Sequence, residues 1–239
     1  MAEIESHPFE PFLPGNAKVL MLGSFPPPES RWSMKFYYPN KTNDMWRIMG
    51  LVFYNDKDKF IVPGGYDEDA IRRFASERGI AMYDAAVKVI RQKGNASDKF
   101  LQIVEPIDLF GFLDRLPECR TIMTAGEKSA AMIAQLTGTL VPATGCAVAF
   151  NYNGRGYMQY RMVSSSRAYP MPVEEKARRY AAVFSTIYDD IYLNSELHNY
   201  LTSYEKQSID FFVCLFYGVL VECRPVDTHQ PVGLLAEIG

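Results

Sequence analysis

Between Val19 and Trp46 the chain gathers residues suited to holding and cleaving a flat ligand, in the order VLMLGSFPPPESRWSMKFYYPNKTNDMW. A short apolar run at 19–22 enters the turn Gly23-Ser24-Phe25-Pro26-Pro27. A turn at a strand end can aim backbone N–H groups at a carbonyl, a phosphate or an attacking water. Prolines that only stiffen the exit of a strand would read the same way. Three consecutive aromatics follow, Phe36, Tyr37 and Tyr38. They can stack an extruded base, and aromatic clusters also serve as ordinary core. Asn43 then stands before an apolar helix, where its amide can hold a water, read a base edge or cap the helix. Together these residues describe a slot with flat rings on one wall and polar groups at the bottom, which suits a nucleobase.

A second polar group, Ser164-Ser165-Ser166-Arg167, closes a strand and precedes the last helix, with Tyr169 just beyond. Hydroxyls, backbone N–H groups and one guanidinium there can clamp phosphate oxygens, or form a solvated serine-rich loop. Residues 154–179 hold Arg155, Arg161, Arg167, Lys176, Arg178 and Arg179 against Glu174 and Glu175, which suggests a basic face. Asp84, at the end of a core strand, and the pair Ser97-Asp98 are weaker candidates, since capping and loop bonding explain such residues equally well. Histidine argues the other way. His7, His198 and His229 are the only three and all lie near the ends, so a His-based triad or metal centre in the core is not expected.

The elements that must position these groups alternate. Apolar runs at 19–22, 80–83 and 121–123 read as buried parallel strands. Residues 146–152 and 157–163 are strand-like, with a turn at Asn153-Gly154. Helices are predicted at 43–53, at 68–78 between an Asp67 cap and Gly79, from Pro106 to 116, at 128–136 and at 173–192. This alternation predicts an α/β fold with a parallel sheet wrapped on both faces, whose ligands bind beyond the carboxyl ends of the strands. Residues 1–16 read as an irregular lead-in, and residues 194–239 as an extension of different character that does not join the sheet pattern.

At 239 residues with a net charge of −3 (25 basic, 28 acidic), the chain does not resemble a protein that binds nucleic acid by bulk charge. Its four scattered cysteines form no C-x-x-C pair, which predicts reduced thiols and no zinc or iron–sulfur site. No signal peptide is visible, and the longest apolar run, 211–221, is too short to span a bilayer. A soluble cytoplasmic monomer without cofactor or membrane partner is the expectation.

The blocks Gly23-Ser24-Phe25-Pro26, Phe36-Tyr37-Tyr38 and Asn43-x-x-Trp46 resemble the uracil-DNA glycosylase superfamily, most closely its hypoxanthine-DNA (deoxyinosine) glycosylase branch, often counted as the sixth family. Residues 79–84, Ser97-Asp98 and 164–168 resemble the later blocks, so the resemblance spans about residues 17–190. It implies a three-layer α/β/α sandwich around a central four-stranded, mainly parallel sheet, spanning residues 17–193. It also implies metal-independent hydrolysis of the N-glycosidic bond of a deaminated base in DNA, as in base excision repair. Asn43 then falls on the catalytic position beside Ser24, with Gly23, Phe25, Tyr37 and Tyr38 around the base. Ser164, Ser165, Ser166, Arg167 and Tyr169 fall on DNA-contacting positions. The chain departs from the pattern in the link 39–42, which lacks a histidine, at Met45 before Trp46, and at Arg167. A silent nucleotide- or lesion-binding protein, or a hydrolase of free nucleosides or nucleotides, would use the same slot.

Overall fold

The computed structural model describes residues 3–92 and 100–191. In chain order these form β1 (Ile4–Ser6), β2 (Val19–Gly23), a 3-10 turn (Glu29–Arg31), α1 (Met45–Tyr54), β3 (Ile61–Val62), β4 (Gly65–Tyr66), α2 (Glu68–Arg78), β5 (Ile80–Asp84) and β6 (Ala86–Arg91). They continue with β7 (Leu101–Pro106), α3 (Leu109–Arg115), β8 (Thr121–Ala125), α4 (Glu127–Thr137), β9 (Ala147–Tyr152), β10 (Arg155–Met162) and α5 (Val173–Phe184).

The main sheet has five strands in the order β5-β2-β8-β10-β9. The pairs β5–β2, β2–β8 and β8–β10 are parallel, and β9 joins β10 antiparallel at one edge. The four expected parallel strands are therefore present, and the expectation of a four-stranded sheet is corrected by this fifth, antiparallel one. Its cause is local: Asn153 and Gly154 both take positive φ, 48° and 71°, the geometry of a tight hairpin turn, so the chain returns at once beside β10. Strand β2, and β5 at the edge of the sheet, are buried along their whole length, which explains the apolar runs at 19–22 and 80–83.

Helices flank the sheet. Asp67 caps α2 by accepting from the Ala70 N–H at 2.9 Å, and Gly79 ends it in a left-handed conformation, as its sequence requires. α1 packs on α5 through Phe53 and Phe184, whose ring centroids are 5.1 Å apart. Three helix boundaries differ from expectation. The first helix starts at Met45 with Asp44, not Asn43, at its cap position. Pro106 ends β7 and does not start a helix; α3 begins beyond it, where the Asp108 side chain accepts from the Gly111 N–H. α5 stops at Phe184, and Ile187 and Tyr188 reach the core from the turn that follows, so apolar spacing continued past the helix itself.

A second, three-stranded sheet, β1-β6-β7, lies outside the alternating pattern. The residues read as an irregular lead-in supply β1, which pairs antiparallel with β6 in the register Ile4↔Ile90. Phe12 then bridges to Met82 of β5. The pair Ser97-Asp98 and the extension at 194–239 lie outside the described residues.

Candidate active site

The carboxyl ends of all four parallel strands meet at one cavity of about 770 Å3. Gly23 and Ser24 come from β2, Asp84 from β5, Ala125 from β8 and Ser164 from the chain just after β10. Every one of the eleven site residues expected from the sequence lines this cavity, from Gly23, Ser24 and Phe25 through Tyr37, Tyr38 and Asn43 to Ser164, Ser165, Ser166, Arg167 and Tyr169.

One wall is the loop between β2 and α1, which is tied down along its length. Trp32 Nε1 donates to Pro27 O at 2.7 Å, and the Ser33 N–H donates to Pro39 O at 2.9 Å. The Trp46 indole N–H donates to Tyr37 O at 3.0 Å, and the Tyr37 hydroxyl donates to Glu10 O at 2.8 Å. Tyr37 is only 2% exposed, and it packs against the rings of His7 and Phe36. Little of it is left to stack a ligand. Phe25 and Tyr38, each partly buried, offer the cavity more ring surface. Burial pushes the Tyr37 and Tyr38 hydroxyls far above the ordinary tyrosine range, so both keep their protons.

The opposite wall joins the Asn43 and Ser164-Ser165-Ser166-Arg167 segments. Asn43 and Ser166 form an antiparallel bridge: the Asp44 N–H donates to Ser165 O at 2.8 Å, and the Arg167 N–H donates to Thr42 O at 3.1 Å. The Asn43 side chain accepts from the Met45 N–H at 2.9 Å, while its backbone carbonyl accepts from the Tyr66 hydroxyl at 2.7 Å. Asn43 is thus a local cap without occupying the cap position itself. Its amide oxygen has a second lone pair, and its Nδ2 has no partner among the described residues. Capping and facing the cavity coexist.

Asp44 fixes this wall from behind. Its two carboxylate oxygens take Arg167 Nε at 2.8 Å and Lys176 Nζ at 3.2 Å, and the Lys176 ammonium also donates to Ser166 O at 2.8 Å. Arg167 Nε is occupied by Asp44, yet its side chain is 47% exposed where it lines the cavity. The basic face expected over 154–179 is partly neutralised, with three carboxylates set against five of its six cations. Arg161 pairs with Glu127, Arg178 and Arg179 pair with Glu175, and Arg167 and Lys176 share Asp44. Among the described residues that line the cavity, the basic ones are Arg167 and Arg31.

The small sheet brings in residues that the sequence pattern did not assign to the site. His7 Nε2 donates to Asp84 Oδ2 at 3.0 Å; the His7 side chain is 1% exposed, and its ring lies between Tyr83 and Phe25. A position near the chain end does not keep His7 from the core, because β1 pairs with β6 and carries it to the end of β5. Arg91 of β6 donates to Pro26 O at 3.0 Å and ion-pairs with Glu5 at 3.0 Å, clamping the turn from outside. The pairing of β1 with β6 spans more than 80 residues, a separation that no local pattern reports. Among the described residues no group of three or more His, Cys, Asp or Glu is arranged to hold a metal. No helix among them is long and apolar enough to cross a membrane.

The fold is similar to that of solved structures. One is the solution NMR structure of a "putative Uracil DNA glycosylase" from Methanosarcina acetivorans, with a TM-score of 0.54 and 22% sequence identity. The match covers 76% of this chain and 97% of that one. No family model matches the chain, and no curated protein matches it.

Proposed function

We propose that this protein is a DNA glycosylase that hydrolyses the N-glycosidic bond of a deaminated base, uracil or hypoxanthine, in the manner of the hypoxanthine-DNA glycosylase branch. The observation that carries this reading is the meeting of the Gly23–Phe25 turn, Tyr38, Asn43 and the 164–167 loop around one cavity at the strand ends. The fold likeness to the Methanosarcina acetivorans protein supports it at the level of architecture.

In this reading the target nucleotide leaves the stack and its base enters between Phe25 and Tyr38. Extrusion costs a few kcal/mol and is cheapest at a mismatched or damaged base. Asn43 accepts a hydrogen bond from the attacking water through the second lone pair of its amide oxygen and orients it toward the sugar carbon. The C1′–N bond breaks, the water oxygen bonds to C1′, and the released proton ends on the base. Backbone N–H groups of the Ser24-Phe25 turn stabilise charge on the departing base, as an oxyanion hole does. Ser164, Ser166 and Arg167 hold phosphates on the flanking strand.

The test is incubation with end-labelled oligonucleotides, single- and double-stranded, each carrying one uracil, hypoxanthine or xanthine. EDTA is present throughout, and alkali then cleaves at abasic sites. Strand scission at the lesion is the expected result. Intact strands for all three bases would overturn the reading, and scission that needs added zinc or magnesium would overturn its metal-free form. The competing view of a silent binding protein draws on the engagement of Asn43 with the Met45 N–H, and the same assay separates the two.

A further inference from the structure

Residues 26, 27 and 28 are consecutive prolines, so the stretch leaving the Gly23–Phe25 turn has no backbone N–H with which to tie itself down. Donors from elsewhere hold its carbonyls instead. The Arg31 N–H donates to Pro28 O at 2.9 Å, the Trp32 indole N–H to Pro27 O at 2.7 Å, and Arg91 Nη2 to Pro26 O at 3.0 Å. The first two tethers belong to the same loop and move with it. Of the three, only Arg91 reaches in from another element, β6. Its side chain is 7% exposed, and a guanidinium that deep needs a paired carboxylate. Glu5 of β1 supplies it, taking Nε and Nη2 at 3.0 Å each in a two-pronged pair. Phe25 is rooted in the same place. Its ring packs on Ala86, Val89 and Leu101, the apolar core of the small sheet. Arg91 lies over that ring, 5.9 Å from its centroid, and the His7 ring meets it at 83° with centroids 5.3 Å apart.

We infer that Arg91 is a positioning residue: held by Glu5, it fixes the Pro26 carbonyl and the Phe25 ring, so that the Ser24-Phe25 turn meets the extruded base in a set geometry. This rests on the glycosylase reading for what is positioned. It gives β1 and β6 a part in the reaction, although no residue of either strand lines the cavity. Arg91 acts only through Pro26 and Phe25. Without it the three-proline arm keeps only the tethers that move with it, and the turn must be ordered at each encounter. The cost then falls on excision and not on the grip of the duplex, which belongs to Arg167 and the serines beside it. A misplacement of about 1 Å at a reacting centre can cost about a hundredfold in rate. Lysine keeps the charge but loses the planar fork that serves Glu5 and Pro26 together, so it does not replace arginine here.

The test compares full-length wild type with Arg91→Met, Arg91→Lys, Glu5→Gln and the double variant Glu5→Gln/Arg91→Met, well below every melting midpoint. Single-turnover excision and affinity for an undamaged duplex are measured, together with acrylamide quenching of tryptophan fluorescence. Trp46 is fully buried, so quenching reports the other tryptophan, Trp32, in the tethered loop. Arg91→Met should slow excision by roughly tenfold to a hundredfold, leave affinity for the undamaged duplex unchanged and make Trp32 easier to quench. Arg91→Lys should behave like Arg91→Met. Glu5→Gln should slow excision less, and should add nothing in the Arg91→Met background, because it acts through Arg91. A folded Arg91→Met or Arg91→Lys protein with the wild-type rate overturns the inference and leaves the glycosylase reading intact. Equal losses of excision and of undamaged-duplex affinity overturn it too, since they mark a general structural role. If Arg91→Met fails to fold, Glu5→Gln with wild-type rate and quenching overturns it. A wild type that excises nothing overturns the glycosylase reading; easier quenching in Arg91→Met then upholds the tether, and unchanged quenching overturns both.

Discussion

Asp44 Oδ2 accepts from Lys176 Nζ at 3.2 Å, and that lysine, on α5, is completely buried. The pair joins the start of α1 to the 164–167 loop and so fixes the distance between Asn43 and Arg167 across the cavity. Removing one partner of a buried pair leaves the other charge uncompensated, at a cost of about 3–5 kcal/mol. Lys176→Met keeps the volume and deletes the charge, so urea unfolding should report a loss of that size. A change below about 1 kcal/mol would mean that Arg167 alone satisfies Asp44.

Arg167 belongs to the same network but stands half in solvent. Arg167→Ala should cost at most about 1 kcal/mol of stability, as exposed ion pairs do. In DNA binding it should make the slope of log K against log salt shallower by about 0.9, the loss of one phosphate contact. Titrations at four salt concentrations measure this. An unchanged slope with altered base preference would move Arg167 from the phosphates to the base.

The parts of the site that the sequence displayed are those built from contiguous residues on or next to central strands. The turn after β2 follows an apolar run that is continuous because both faces of that strand are buried, and the loop after β10 follows a strand marked by the Asn153-Gly154 turn before it. Strands β6 and β7 escaped because their burial is interrupted and a register shift near Lys88 breaks the alternation. With them went His7 and Arg91, whose roles depend on the distant pairing of β1 with β6. The basic stretch misled for another reason. Counting charges by position cannot see that Glu127 and Asp44, from outside the stretch, lie against them. Tyr37 likewise looked the equal of Tyr38 until the His7 and Phe36 rings were found against it.

Gly23 tests the close approach of β2 to Asp84 from the backbone side. Gly23→Ala would drive its methyl into Asp84 Oδ1 and force the carboxylate from His7. Overpacking of this kind costs about 1–3 kcal/mol. The variant should melt earlier and lose base excision together. A stable Gly23→Ala protein with full activity would show that the reaction does not need the Asp84 carboxylate held against Gly23.

Cys119 offers a check on the core that is independent of function. Its thiol donates to Thr121 O at 3.5 Å, and burial pushes its pKa up to about 12. Because the shift is upward, the thiolate is scarce at every pH below that value, so alkylation at pH 8 should spare Cys119 in the folded protein. Mass mapping after iodoacetamide should find Cys146, which is only partly buried, modified before Cys119. Rapid labelling of Cys119 under native conditions would contradict its burial beside the start of β8.

The most direct test of the account is the single-turnover excision rate of Asn43→Ala against wild type, on whichever of uracil or hypoxanthine the wild type removes, with melting temperatures alongside. If the Asn43 amide orients the attacking water, the rate should fall by about a hundredfold or more, as on losing a well-placed catalytic group. Loss of its bond to the Met45 N–H should lower stability by only about 1 kcal/mol. Asn43→Ser should recover the stability and not the rate. A folded Asn43→Ala protein that excises at the wild-type rate would contradict the account.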